Sequence, residues 1–103
     1  MALANATAVS VNTASWTTVA TVTGDGTKQL IGAAVKCDDA SVAFEMRVQI
    51  DSATVIAGIA VKAAESGVIY DAPTTVPNTK VCTVQVYHAA GTAKAFTGTL
   101  LGS

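Results

Sequence analysis

Only one residue in the chain has the chemistry of a general base near neutral pH. His88 is the single histidine, and it follows Cys82, Val84 and Val86 in the same alternating pattern. A Ser/His/Asp triad would need it, but no GxSxG turn precedes a predicted helix. A hydrogen-bonded or solvent-facing histidine at a strand end is therefore favoured over a catalytic one. We expect no catalytic residues and no enzymatic activity.

The aspartates are the next candidates, because a calcium ion takes several oxygen ligands from loops. Their spacing matches no calcium-loop motif, and aspartate is an ordinary turn residue, so turn roles are favoured. Single scattered glycines cannot build a phosphate-binding loop. We therefore predict no metal and no cofactor. The aspartates considered for a calcium site are Asp25, Asp38, Asp39, Asp51 and Asp71.

The two cysteines, Cys37 and Cys82, are 45 residues apart and lack the paired spacing of a zinc site. Two free, buried thiols that pack as small apolar side chains are favoured over a disulfide bond. A bond stays possible if the two strands are neighbours.

Five aromatic residues allow one binding hypothesis. A carbohydrate-binding β-module presents exposed aromatic rings, and Tyr70 with Tyr87 could form such a platform. Trp16, Phe44 and Phe96 are predicted to lie in the core. Tyrosines anchored by their hydroxyl groups are the favoured alternative to sugar binding.

Charge excludes two classes of partner. Six basic and seven acidic residues give a net charge of −1, and no segment concentrates either sign. We expect no nucleic-acid partner, because neutralising phosphates needs clustered Lys and Arg. We also expect no membrane partner, since the longest uncharged apolar run, Val55 to Val61, is too short to span a bilayer, and the N-terminal residues lack the pattern of a secretory signal. Charged residues make up only 13% of the chain, which favours association into an assembly.

The elements that position these residues are predicted to be β-strands. Thr, Val and Ile are abundant while Leu and Glu are scarce. Residues 41–51 give the clearest signal, because Val42, Phe44, Met46, Val48 and Ile50 alternate with polar or small residues, as in a strand with one face in the core. The predicted strands are Thr7–Asn12, Trp16–Thr23, Lys28–Cys37, Ser41–Ile50, Thr54–Val61, Val68–Tyr70, Lys80–His88 and Ala93–Leu101. Val84, Val86, Phe96 and Trp16 complete the predicted core.

The turn signals predict how these strands are joined. Gly24 to Thr27 predicts a hairpin, the three strands between Lys28 and Val61 predict a meander, and Ala89 to Thr92 predicts a closing hairpin. The Pro-containing loop, residues 71–79, is expected to cross between sheets. The fold class is therefore all-β: an antiparallel β-sandwich, or a jelly-roll-like or tulip-like barrel, of about eight strands. Residues 1–13 are predicted to form an N-terminal arm with a first short strand, and residues 14–103 the β-sandwich domain.

Two strands lack a polar side. Lys28 to Cys37 and Thr54 to Val61 are apolar or small on both faces, whereas one two-layer domain covers only one face of each sheet. We therefore predict that the second face is covered by another molecule, that small residues there allow close approach, and that the N-terminal arm contacts a neighbour. The candidate assembly contacts are Met1, Leu3, Ala4, Gly32, Ala34, Ala57, Gly58 and Ala60.

Three segments resemble a known class of viral protein. They are ASWTTVATVTGDGTKQLIGAAV, RVQIDSATVIAGIAV and VQVYHAAGTAKAFTGTLL, within Ala14 to Leu101. Their richness in Ala, Thr, Val and Gly, short turns and few charges are similar to those of small all-β structural proteins of tailed bacteriophages, above all the capsid decoration, or cement, proteins.

The resemblance implies a β-sandwich, jelly-roll or tulip-like core without catalysis. It implies a protein made in the bacterial cytoplasm that binds the major capsid protein on the exterior of the virion as a dimer or trimer and stabilises the shell. It assigns no role to individual residues. A minor tail or head-fibre protein, or a carbohydrate-binding β-sandwich module, is the alternative.

Overall fold

The computed structural model of the chain describes residues 2–12 and 14–103. This part of the chain forms eight β-strands and no helix. The predicted all-β class is confirmed. The strands are β1 (Ala2–Val11), β2 (Thr17–Thr23), β3 (Gln29–Cys37), β4 (Phe44–Ile50), β5 (Ala53–Val61), β6 (Gly67–Thr75), β7 (Val81–Tyr87) and β8 (Lys94–Gly102).

The strands form two four-stranded antiparallel sheets that pack face to face. Sheet one has the order β1-β8-β3-β6, and sheet two has the order β2-β7-β4-β5. The pairs β1·β8, β2·β7, β3·β6 and β4·β5 are nested, as in a long hairpin that bends at the β4–β5 turn and is then rolled up. This arrangement is a jelly roll, one of the architectures that the sequence predicted.

The core lies between the sheets and follows the alternation of β4. Phe44 of sheet two meets Phe96 of sheet one edge to face, with ring centroids 5.1 Å apart and an interplanar angle of 83°. Such a pair contributes beyond the area that it buries. Eight of the nine predicted core residues are buried: Val42, Phe44, Met46, Val48, Ile50, Val84, Val86 and Phe96.

Trp16 is the exception, and its assignment to the core was wrong. It is only half-buried, on the outer face of sheet two. The strand period explains this position: Thr18, two residues on, pairs with Gln85 on the outer face, whereas Thr17 pairs with the buried Val86.

The predicted crossing between sheets near the Pro-containing loop is confirmed, since the chain passes there from β6 in sheet one to β7 in sheet two, but the other connections differ from the prediction. Among the described strands, only β4 and β5 are neighbours both in sequence and within one sheet. Their two-residue turn, Asp51 and Ser52, has positive φ at both positions, as a type I′ hairpin requires. The predicted hairpin at Gly24–Thr27, the three-strand meander and the closing hairpin at Ala89–Thr92 were wrong, since each of these links includes a passage between sheets. Turn residues show where the chain reverses, but the partner of each strand is set by contacts distant in sequence.

The predicted N-terminal arm is also part of the fold. Residues 2–11 form β1, which pairs antiparallel with β8 at one edge of sheet one. Leu3 and Ala4 are half-buried and pack against the core. The small residues of this segment give little alternation, so its strand structure becomes visible only through pairing with β8. The expectation that this segment contacts a neighbouring molecule stays a prediction, now for an edge strand of sheet one.

β5, whose second face was predicted to be covered by another molecule, is an edge strand of sheet two. Of its nine residues only Ile56 and Val61 are buried. Its pairing with β4 has two register shifts, and the pairings of the other edge strands, β1, β2 and β6, are shifted as well. Irregular edges disfavour the addition of a further strand.

Candidate functional site

The His88 side chain is buried at the end of β7, and both of its ring nitrogens take part in hydrogen bonds. The amide N–H of Ala90 donates a hydrogen bond to His88 Nδ1 over 3.2 Å, so Nε2 carries the proton and donates to the carbonyl oxygen of Val11 over 2.8 Å. The ring packs on Phe96 at a centroid distance of 5.6 Å. His88 is thus buried and hydrogen-bonded, one of the two forms favoured from the sequence, and it ties β7 to the end of β1.

Asp25 and Asp39 each organise a turn, as their residue type predicts. Asp25 accepts hydrogen bonds from the hydroxyl and the amide N–H of Thr27 over 2.7 and 2.8 Å. Asp39 accepts the same pair of bonds from Ser41 over 2.6 and 3.0 Å. These hydrogen bonds favour the ionised form and hold the pKa of both carboxyls well below its usual range.

No metal site is visible in the part of the chain that the structure describes. None of its His, Cys, Asp and Glu side chains form a group of three or more that could hold an ion. The side chain of Asp71 lies outside the described residues.

The cysteines lie in opposite sheets. Cys37 is on β3 and Cys82 is on β7, and both are free and buried. Burial raises the pKa of the Cys82 thiol to about 11 and raises that of Cys37. Their geometry fits small apolar core residues, in keeping with the prediction of two free thiols.

Tyr70 and Tyr87 do not form the platform that was considered for sugar binding. Tyr70 lies on β6 in sheet one, whereas Tyr87 lies on β7 in sheet two. Tyr87 instead meets Trp16, with ring centroids 5.6 Å apart and an interplanar angle of 46°. Ala14, with a φ of 56°, donates a backbone hydrogen bond to the carbonyl oxygen of His88 over 2.7 Å, which holds the turn before Trp16 against the end of β7.

Between Val81 at the start of β7 and this aromatic pair at its end, the outward side chains of β4 and β7 are polar. The guanidinium carbon of Arg47 lies 4.1 Å from the centroid of the Trp16 ring, a cation–π contact. The alternation within the predicted strands already separated these residues from the core, but it did not show that Trp16 joins them. We call the five polar side chains that point outward from β4 and β7 the polar face: Glu45, Arg47, Gln49, Thr83 and Gln85.

The candidate assembly contacts lie in different places. Ala57, Gly58 and Ala60 are exposed together on β5, and Ala34 is half-buried on β3. Gly32 is buried, and a Cβ atom there would collide with the carbonyl oxygen of Ile69 on β6. Gly32 is therefore removed from the candidate contacts, because its own chain occupies the space beside it. Leu3 and Ala4 pack against the core, and Met1 lies outside the described residues.

The sequence did not predict where the exposed apolar side chains gather. Four of the five large apolar side chains that are exposed in the described part of the chain lie on β5 and β6, the edge strands at the same side of the sandwich. We call these four the apolar edge: Val55 (37% exposed), Ile59 (38%), Val68 (46%) and Tyr70 (72%). Ala34 pairs with Val68 and adjoins this edge.

Comparison of the chain with protein-family models, with curated proteins and with solved structures finds no match. Among the described residues there is no helix with the length and apolar character needed to cross a membrane.

Proposed function

We propose that the chain is a structural virion protein that coats the exterior of a tailed-bacteriophage capsid and stabilises the shell as a small oligomer. The observation that carries this proposal is the apolar edge. Exposed apolar side chains that cluster on one side of a domain mark an interaction surface more often than scattered ones do. The low charge of the chain supports association.

The edge is suited to contact through side chains. Register shifts along β5 and β6 work against an added strand, whereas Val55, Ile59 and Val68 offer apolar area and Tyr70 a large ring with a hydroxyl group. Tyrosine is enriched among residues that dominate binding energy at protein interfaces. The partner is the major capsid protein, a second copy of the chain, or both at a junction between shell subunits.

The resemblance to decoration proteins selects the capsid among possible assemblies. Free buried thiols also suit a protein made in the reducing bacterial cytoplasm. A minor tail or head-fibre protein would use the same surface in another part of the virion.

The proposal is tested by mixing the purified chain with undecorated shells and measuring the bound fraction by cosedimentation. Val68→Glu places a charge in the middle of the apolar edge, at a position whose side chain is already exposed. We expect the variant to fold and its affinity for shells to fall by at least about tenfold, because the charge must be desolvated on binding.

Thr21→Glu is the matched control, since it adds the same charge at an exposed position of β2, the edge strand of sheet two that lies farthest from β5. It should bind shells as the unaltered chain does. Light scattering should also give a dimer or trimer. A monomer that ignores shells, or equal binding by both variants, would refute the proposal.

A further inference from the structure

The polar face carries planar hydrogen-bonding groups that are already held in place. β4 and β7 pair directly, so that Arg47 stands beside Gln85 and Gln49 beside Thr83. Arg47 Nε donates to Gln85 Oε1 over 2.9 Å, and Gln49 Nε2 donates to Thr54 Oγ1 over 3.2 Å. Side chains that are fixed before a ligand binds lose less conformational entropy on binding.

A groove with a volume of about 370 Å³ runs beside these residues, and its size lies within the range of small-molecule sites. Apart from Val81, every residue that lines it has a polar side chain. These are Thr18, Gln49, Asp51, Ser52, Thr83 and Gln85. Hydroxyl and amide groups both donate and accept hydrogen bonds, so the groove complements a ligand rich in hydroxyl groups.

Aromatic rings border the polar face at the end of β7. Trp16 and Tyr87 are both only half-buried, and Arg47 lies against the Trp16 ring. A second groove, of about 260 Å³, lies next to Tyr87 and is also lined by Glu45 and Ala60. The negative face of an aromatic ring attracts the weakly positive C–H groups on the flat side of a sugar ring.

The charges around the polar face argue against an anionic ligand. Arg47 is its only cation, and the guanidinium group already contacts Gln85 and Trp16. Asp51 in the groove is paired with Lys80, whose Nζ lies 3.2 Å from Asp51 Oδ2, and it adds little net charge there. The exposed Glu45 on the polar face would repel phosphate or carboxylate groups. The complementary ligand is therefore uncharged and polar.

We propose that the outer face of sheet two is a binding site for a neutral polysaccharide. The amides of Gln49 and Gln85 hold neighbouring sugar hydroxyls, and Trp16 and Tyr87 stack against the C–H faces of adjoining rings. This activity goes beyond shell binding and uses other residues, because the apolar edge lies on β5 and β6.

Trp16 provides a direct assay, since it is the only tryptophan in the chain. The folded chain is titrated with dextran, with yeast mannan and with arabinogalactan while Trp16 fluorescence is recorded, and polygalacturonate serves as the anionic comparison. We expect a saturable change in fluorescence with at least one neutral polysaccharide. Calorimetry with that polysaccharide should show about tenfold weaker binding for Gln85→Ala and for Gln49→Ala, since each loses hydrogen bonds to the ligand.

Tyr70→Ala is the control, because it removes an exposed aromatic ring from sheet one and should leave polysaccharide affinity unchanged. Circular dichroism establishes that each variant is folded. The proposal is overturned if none of the three neutral polysaccharides binds, if polygalacturonate binds as tightly, or if both folded glutamine variants keep full affinity. Shell binding by the Gln85→Ala variant is expected to stay normal, so this test fails or succeeds separately from the proposed function.

Discussion

Replacing Phe44 by alanine tests the packing that joins the two sheets. Phe44 extends from β4 into the core, is 3% exposed, and meets Phe96 of the opposite sheet edge to face. β4 and β8 belong to different sheets and share no backbone hydrogen bonds, so this ring pair links them directly. The substitution therefore opens a cavity at the junction of the sheets and removes the ring pair.

The expected loss of unfolding free energy is about 3 to 5 kcal/mol, the range for removing a buried phenylalanine ring. The upper part of this range applies if the sheets do not move together to fill the cavity. A domain of this size has a total stability of about 5 to 15 kcal/mol, so the variant loses a large part of it. The melting temperature should fall by roughly 12 to 40 °C, since each kcal/mol corresponds to about 4 to 8 °C.

Urea unfolding followed by circular dichroism measures this loss. Tyr70→Ala is the matched comparison, because it removes a ring that is 72% exposed, and it should change stability by no more than about 0.5 kcal/mol. A loss below about 1 kcal/mol for Phe44→Ala, or equal losses for the two variants, would refute the placement of Phe44 between the sheets.

Three further predictions follow from local geometry. Gly32→Ala should lower stability, because the added Cβ collides with the carbonyl oxygen of Ile69. Gly58→Ala should be tolerated, because the nearest atom to its Cβ would be the carbonyl oxygen of Met46 at 3.6 Å, and equal urea midpoints for the two variants would contradict this. Cys37 and Cys82 should both resist Ellman's reagent at pH 8 in the folded chain and react in urea, because burial raises the pKa of both thiols. Reaction without denaturant, or a mass two hydrogens lower under non-reducing conditions, would overturn this prediction. Asp25 and Asp39 have a lower carboxyl pKa in the folded than in the unfolded chain, so they stabilise the fold above about pH 4, and this stabilisation is lost as the pH falls further. Asp39→Asn should therefore reduce the difference between the urea midpoints at pH 7 and pH 3, and an unchanged difference would count against the turn contacts.

The strands could be predicted because their signals are local. β4 buries alternate residues from Phe44 to Ile50, so the period of two in the sequence predicted its inner face and its end at Ile50, although the strand begins three residues after the predicted Ser41. Strand pairing could not be predicted in the same way. Gly26 has a φ of 84° and marks a true reversal, yet β2 and β3 on either side of it belong to different sheets. The sequence near a turn contains no information about β7, the distant strand with which β2 pairs.

The candidate surfaces were predicted only in part. The lack of charge on β5 indicated a strand in need of cover, but an uncharged strand can lie at the centre of a sheet or at its edge. Trp16 was placed in the core, and a strict period of two groups it with the buried Ala20. The register shift between Thr18 and Ala20 breaks this period, so that Trp16 lies on the outer face with Thr18. Such an irregularity is not visible in the sequence.

Cryo-electron microscopy of purified phage particles that contain the chain tests the proposed role in capsid decoration most directly. We expect icosahedrally ordered density on the outside of the shell that fits the eight-stranded jelly roll, with Val68 and Tyr70 turned toward the shell or toward a second copy. Density for the chain in the tail alone, or on the shell with the whole apolar edge facing solvent, would contradict the account.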